Sequence, residues 1–244
     1  MYKKLLLSLA LATALLVVSV APVFAIQYSS GVTTGQYVHY GNFFGSGVGY
    51  ESFNDYGFLN YQVTSVSGNT VTFLSTGEYK NGTVLPGNGT KDVWDLTLGT
   101  KNGVPTTQGY VIAANLDQGD AIPPPDTYFV NQTVDRTYLG TSRSVNILNL
   151  IVLTSDYNTT INYVYDQQSG MLLESSSTTV TQAQPQVITS MFSYSIIATN
   201  IFGSTPSPTV PELSPQILLF AVAMITVGIT VFTAWRKNQK KINS

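Results

Sequence analysis

The sequence predicts a mainly β protein: an antiparallel meander that forms a half-barrel, a barrel or a sandwich, followed by one C-terminal transmembrane helix. Tyrosine, with 15 of the 244 residues, and abundant threonine favour pleated strands, and 20 glycines supply turns. Hydrophobic residues make up 43% of the chain, enough to fill a core and too many for a disordered one. Strand-like stretches recur without intervening amphipathic helices, which favours an antiparallel arrangement.

The strands follow from turn residues that punctuate runs of β-branched and aromatic residues. Residues 36–40 form the first predicted strand, and the glycine-rich stretch 41–49 is predicted to be a loop. Segment 109–116 is apolar and fits either a strand or a short helix. The other predicted strands are 60–66, 71–79, 91–98, 127–138, 142–154, 160–166, 171–180 and 187–197. Short Gly-containing turns, such as Asn81-Gly82, connect several of them.

The N-terminus has the pattern of a signal peptide. Lys3 and Lys4 precede an apolar run, and small residues before Ala25 fit a cleavage site after that residue. An uncleaved anchor helix is the alternative, because the apolar run is slightly long. The predicted organisation is a signal peptide (1–25), a β-rich extracytoplasmic domain (26–202), a Pro-rich stalk (203–215), a transmembrane helix (216–235) and a basic cytoplasmic tail (236–244).

The C-terminal apolar segment is long enough to cross a bilayer, because about 20 apolar residues span its hydrocarbon core. It ends with an aromatic residue that suits the membrane interface, and basic residues follow at once. These topology anchors are Trp235, Arg236, Lys237, Lys240 and Lys241. We therefore expect a single-pass protein of the cell membrane, with the β-rich domain outside and the C-terminus in the cytoplasm.

The end of the stalk resembles a known sorting signal. Pro211, Glu212 and Leu213 precede the apolar helix and the basic tail. This order is similar to the Pro-Glu-Phe signals that archaeosortases process on archaeal surface proteins, although Leu213 stands where that family has Phe. The resemblance implies that the helix is removed and replaced by a lipid. A permanent helix on a plain stalk is the alternative.

The β-rich domain carries a second resemblance. The segments GQYVHY, AANLDQGD, NQTVDRTYLGTSRSVNIL and NYVYDQQSGMLLE occur in this order. They resemble an uncharacterised type of archaeal secreted or membrane-anchored surface domain, which implies a β-rich fold and a surface location and adds no catalytic residue. The strand order also resembles the curved half-barrels of lipoprotein carriers, a likeness at the level of the fold.

Charge and composition exclude several functions. All 13 acidic residues lie between Glu51 and Glu212 with only five basic ones, so the extracytoplasmic part should repel nucleic acid. The chain has no cysteine, which excludes disulfides and thiolate chemistry. His39 is the one histidine, and its place in a strand suits packing better than catalysis. We expect no cofactor and no enzymatic activity.

Some polar residues are nonetheless candidates for chemistry. Four asparagines open Asn-x-Ser/Thr sequons and are candidate glycosylation sites: Asn81, Asn88, Asn131 and Asn158. Asp117 and Asp120 are weak candidates for binding Ca²⁺ through a turn, where aspartate more often caps the backbone. Asp92 and Asp95 form another close pair of carboxylates, and glycosidases work with such pairs.

These observations favour two non-enzymatic functions over an enzymatic one. The first is a membrane-anchored cell-surface protein with a structural or interaction role, whose partners are other surface proteins or glycans. The second is an extracytoplasmic binding or carrier domain for an apolar or lipid-like ligand. A continuous apolar face would favour the second, and we expect its lining to include Ile112, Ile147, Leu148 and Ile151.

Overall fold

A computed structural model of the protein describes residues 28–106, 109–123, 128–183 and 186–203. The predicted signal peptide, the transmembrane helix, the basic tail and nearly all of the stalk lie outside these residues. Within the described part of the chain, no helix is both long and apolar enough to cross a membrane.

The described chain consists of strands and two short 3-10 helices. The strands are β1 (Tyr37–Ser46), β2 (Tyr56–Ser67), β3 (Thr70–Tyr79), β4 (Thr90–Asp95), β5 (Thr100–Lys101), β6 (Val104–Pro105), β7 (Ala121–Ile122), β8 (Tyr128–Phe129), β9 (Gln132–Tyr138), β10 (Thr141–Leu153), β11 (Tyr157–Asp166), β12 (Leu172–Ala183) and β13 (Gln186–Thr199). The 3-10 helices are η1 (Glu51–Asp55) and η2 (Ile201–Gly203).

Eleven strands form one antiparallel sheet in the order β6-β5-β4-β3-β2-β1-β13-β12-β11-β10-β9. The prediction of a mainly β antiparallel meander is confirmed. The sheet is not closed, so the barrel alternative is wrong. The first and last strands, β1 and β13, pair in the middle of the sheet, with Val38 opposite Thr199. β7 and β8 form a separate two-stranded sheet.

Three local predictions differ from the structure. The described part of the predicted strand 127–138 is divided into β8, which belongs to the two-stranded sheet, and β9, which belongs to the large sheet. The stretch 41–49 is not all loop, because β1 continues to Ser46 through two register shifts beside β13. Asn42 adopts a left-handed conformation with φ 52° at the second shift, which is the behaviour of a β-bulge. Because of this bulge, Phe43 is buried and Phe44 is exposed.

Segment 109–116 is neither a ladder strand nor a helix. It lies across one face of the sheet, here called the inner face, and it fills that face with buried Val111, Ile112 and Leu116. Backbone hydrogen bonds anchor it to the hairpin between β11 and β12, for example from the Leu172 N–H to the Tyr110 carbonyl.

The sheet bends around this segment. The Gly109 carbonyl accepts a hydrogen bond of 3.1 Å from the Tyr165 hydroxyl in β11. A Cβ on Gly109 would lie 2.8 Å from the Trp94 ring in β4. These strands are six places apart in the sheet order, about 29 Å in a flat sheet with ~4.8 Å between strands. Two aromatic side chains cannot cover that distance, so the strands must curve toward the segment.

A buried ion pair fixes the hairpin between β11 and β12. Asp166 is fully buried and accepts hydrogen bonds from Arg143 Nε at 2.7 Å and Nη2 at 2.9 Å. Its Oδ2 also accepts from the backbone N–H and the hydroxyl of Ser169. The guanidinium lies over the Phe202 ring of η2, 5.1 Å from its centroid. The carboxylate is therefore fully satisfied although it is removed from water.

Candidate functional site

An open cavity of about 280 Å³ lies on the inner face between the central strands and η1. Most of its lining is aromatic, and its hydroxyl groups belong to four tyrosines and one serine. The lining residues are Phe43, Phe53, Tyr56, Leu59, Gly109, Tyr110, Tyr163, Leu172, Ser175, Phe192 and Tyr194. We call this cavity the aromatic cavity.

The rings around the aromatic cavity pack against one another as a network. Phe53 stacks on Phe192 with ring centroids 5.0 Å apart, and Phe43 lies 5.7 Å from Tyr194. Tyr110 stacks on Tyr61 at 3.7 Å beside the cavity. Aromatic pairs at such distances stabilise each other beyond the area that they bury. The walls are therefore held in place before any ligand binds.

The loop between β1 and η1 brings Phe53 over the inner face. Gly45 allows this, because a Cβ there would meet the Tyr50 carbonyl oxygen at 1.8 Å. The side chain of Asn54 in η1 binds the backbone of β1 at Gly45. Its Oδ1 accepts a hydrogen bond from the Gly45 N–H, and its Nδ2 donates one to the Gly45 carbonyl. The position of the Phe53 wall thus depends on a glycine and on one asparagine.

The cavity is electrically neutral. None of its lining side chains carries a formal charge. Burial raises the pKa of Tyr110 and Tyr194, and neighbouring tyrosines raise the pKa of Tyr194 further, so both hydroxyls stay protonated. Ser175 is 1% exposed, and its hydroxyl makes no hydrogen bond of good geometry among the described residues, although it interacts with Tyr194.

The apolar quartet predicted from the sequence does not form a single lining. Ile112 and Leu148 are buried in the core. Ile147 is also buried, but it lies on the opposite side of β10 from Leu148, because neighbouring residues of a regular strand point to opposite faces. Ile151 shares the side of Ile147 and is 65% exposed.

The four sequon asparagines are all exposed. Asn81 and Asn88 lie in turns between β3 and β4, Asn131 precedes β9, and Asn158 lies near the start of β11. In the first three, the side-chain oxygen accepts a hydrogen bond from a nearby backbone N–H. Their exposure suits glycosylation, which stays a prediction.

The candidate carboxylates form hydrogen bonds or an ion pair with other protein groups. Asp120 accepts a hydrogen bond from the Asp117 backbone N–H, and Asp117 accepts one from the Gln167 side chain. Asp95 caps the turn after β4, whereas Asp92 is buried and lies 2.8 Å from Lys101 Nζ. Across the described ranges, no three metal-ligating side chains of the His, Cys, Asp or Glu types gather in one place.

His39 lies outside the aromatic cavity. Its ring stacks on Phe58 at 4.8 Å. Partial burial lowers the pKa of His39 below its ordinary value of 6.5, and a hydrogen bond with Asn60 opposes this effect. The sorting-signal candidates Pro211, Glu212 and Leu213 lie outside the described residues, as do the topology anchors at 235–241.

Sequence reasoning missed the aromatic cavity. The alternation of Phe192 and Tyr194 in β13 was a usable signal, because every second residue of a strand shares a face. Phe43 and Phe53 gave no such signal, since the first follows a bulge and the second belongs to a 3-10 helix.

No protein-family model matches the chain, and no match was found among curated proteins.

Proposed function

We propose that this protein is an extracytoplasmic binding domain for an apolar or lipid-like ligand, held at the cell membrane by its C-terminal segment. The aromatic cavity carries this proposal. It is open, neutral and lined by rings on the inner face of a sheet that bends around it. Binding pockets are commonly concave and mostly apolar, with few polar groups among their lining.

The physical basis for binding is removal of apolar surface from water. Each CH₂ group that a ligand buries contributes about 0.8 kcal/mol. The stacked rings are already ordered against each other, which lowers the entropic cost of binding. A filled inner face would leave no room for a ligand, whereas this one retains about 280 Å³ beside Phe53 and Phe192.

The proposed domain is a half-barrel, and it is exported and anchored at the membrane. The bent, open sheet is consistent with a half-barrel whose inner face holds the ligand. The N-terminal signal pattern, the exposed sequons and the C-terminal apolar segment support an exported domain on a membrane anchor. If the Pro211-Glu212-Leu213 segment is processed, a lipid replaces the helix and the domain stays at the same surface.

Photolabelling of the full chain in phosphatidylcholine nanodiscs tests the proposal. The probe is an uncharged decane that carries one diazirine group, and labelled peptides are mapped by mass spectrometry. We expect label in peptides that contain residues 43–56 and 186–199. Mapping separates this signal from label in the apolar segment 216–235, which a membrane probe reaches in any case.

Two variants and a matched control sharpen the test. Phe53→Ala removes a wall of the cavity, and Ser175→Leu fills its floor, so both should lower cavity labelling severalfold. Phe44→Ala removes a ring from the opposite, exposed face of β1 and should change nothing. Wild-type protein without label at the cavity, or equal labelling in all variants that keep the wild-type melting temperature, would refute the binding function and favour a structural or interaction role.

A further inference from the structure

A row of hydroxyl groups runs along the inner face of β12. Every second residue from Ser175 onward carries one, and all four lie on the same face because the pairing with β13 is regular. The row consists of Ser175, Ser177, Thr179 and Thr181. It extends for about 20 Å at ~3.3 Å per residue. Only its first member lines the aromatic cavity.

The far end of the row lines a second cavity of about 390 Å³. Its lining is Val48, Gly49, Tyr50, Thr179, Thr181, Ile188 and Ser190. The Tyr50 ring lies 5.1 Å from Phe192, which belongs to the aromatic cavity. The two cavities are therefore neighbours along the same two strands, and we call the second one the hydroxyl cavity.

Charge restricts what these cavities can hold. The linings of both contain no charged side chain among the described residues. An ionised group that entered either one would lose part of its hydration without gaining a counter-charge, which costs free energy. Hydroxyl groups, in contrast, both donate and accept hydrogen bonds and so match the hydroxyl groups of a ligand.

The hydroxyl groups of the two cavities differ in kind. In the aromatic cavity they belong to four tyrosines, whose rings form much of the lining, and to the buried Ser175, which lacks a well-formed hydrogen bond among the described residues. In the hydroxyl cavity they belong to Tyr50, Thr181, Ser190 and Thr179, whose hydroxyl already bonds that of Thr159, and they lie beside a valine that is 71% exposed. An apolar body thus fits the first cavity, and an uncharged, water-accessible head group fits the second.

We propose that the two cavities form one groove for a neutral amphiphile. Its apolar body lies in the aromatic cavity, and its hydroxylated head group lies against Thr181 and Ser190. This inference rests on the proposed binding function and adds the ligand class and the orientation. The ligand crosses from one cavity to the other beside the contact between Tyr50 and Phe192.

Competition against the decane probe tests the head-group preference. The full chain in nanodiscs is labelled in the presence of octyl β-glucoside, octanol, octyl sulfate or octyltrimethylammonium, each below its micelle concentration. All four share one alkyl chain and differ in the head group. We expect octyl β-glucoside to halve cavity labelling at about one-tenth of the concentration that either charged amphiphile requires, since a factor of ten corresponds to ~1.4 kcal/mol.

Variants identify the groups that bind the head. Thr181→Val with Ser190→Ala removes two hydroxyls and preserves the shape of the cavity. Competition by octyl β-glucoside should therefore weaken about two- to tenfold for each hydrogen bond lost. Octanol should be unaffected. Thr178→Val, on the opposite face of the same strand, is the matched control and should leave both competitors unchanged.

The outcomes separate this inference from the proposed function. Strong cavity labelling without preference for the glucoside over octyl sulfate would keep the binding function and overturn the neutral-amphiphile assignment. The same conclusion follows if the double variant folds and competes like wild type. Absence of cavity labelling in wild type would overturn both.

Discussion

Replacing Asp166 with alanine should destabilise the domain strongly. The carboxylate is fully buried and accepts two hydrogen bonds from Arg143 and two from Ser169. The alanine variant leaves the Arg143 side chain, which is only 11% exposed, without its counter-charge. It also leaves the Ser169 N–H without an acceptor in the tight turn between β11 and β12.

The magnitude follows from the cost of breaking a buried pair. Removing one partner costs about 3–5 kcal/mol, because the remaining charge is uncompensated. Domains of this size lose about 2–4 °C of melting temperature per kcal/mol. The Asp166→Ala variant should therefore melt roughly 6–20 °C below wild type, a large part of a typical stability of ~5–15 kcal/mol.

Thermal unfolding of the full chain, followed by near-ultraviolet circular dichroism, measures this loss through the buried aromatic rings. Glu174→Ala is the control, because Glu174 lies 3.9 Å from Arg136 in an exposed pair and such pairs contribute about 0–1 kcal/mol. Its melting temperature should fall by at most a few degrees. An Asp166→Ala variant that melts within 2 °C of wild type, about the effect of 1 kcal/mol, would show that the pair does not hold the hairpin.

Three further predictions concern backbone space and titration. Gly45→Ala should melt well below wild type, because its Cβ would collide with a backbone oxygen, whereas Gly203→Ala meets open space and should be neutral in the same melting assay. Because burial lowers the pKa of His39, the unfolded chain binds its proton more readily. Stability should therefore fall as the pH drops from 6.5 through the folded pKa, and His39→Gln should flatten this part of a urea-unfolding series. Burial raises the pKa of Tyr61 and Tyr165, so their ionisation in an absorbance titration near 295 nm should be delayed until the fold is lost.

The hairpins could be predicted from the sequence because their signals are local. The turn at Gly68 and Asn69 joins β2 to β3, and the residues 167–170 join β11 to β12, as the turn chemistry indicates. Segment 109–116 could not be assigned in the same way. Its apolar residues fit a buried strand, but its hydrogen bonds go to the β11–β12 hairpin, and nothing in its own sequence specifies that partner.

The aromatic cavity depends on pairing that a local pattern does not contain. Phe43 meets Tyr194 because β1 pairs with β13, although some 150 residues separate them in the chain. Within β1, the bulge before Phe43 changes which side chains face inward, so simple alternation from Val38 gives the wrong face.

The hydroxyl row shows what the sequence does contain. Once β12 is known to be a strand with a buried face, the run Ser175–Thr181 places a hydroxyl at every inner position, that is, at every second residue. A strand that only filled a core would carry apolar side chains there, as Val71 and Phe73 do in β3. Small polar residues on a buried face leave space and hydrogen-bonding groups together, and that combination suits a ligand better than it suits stability.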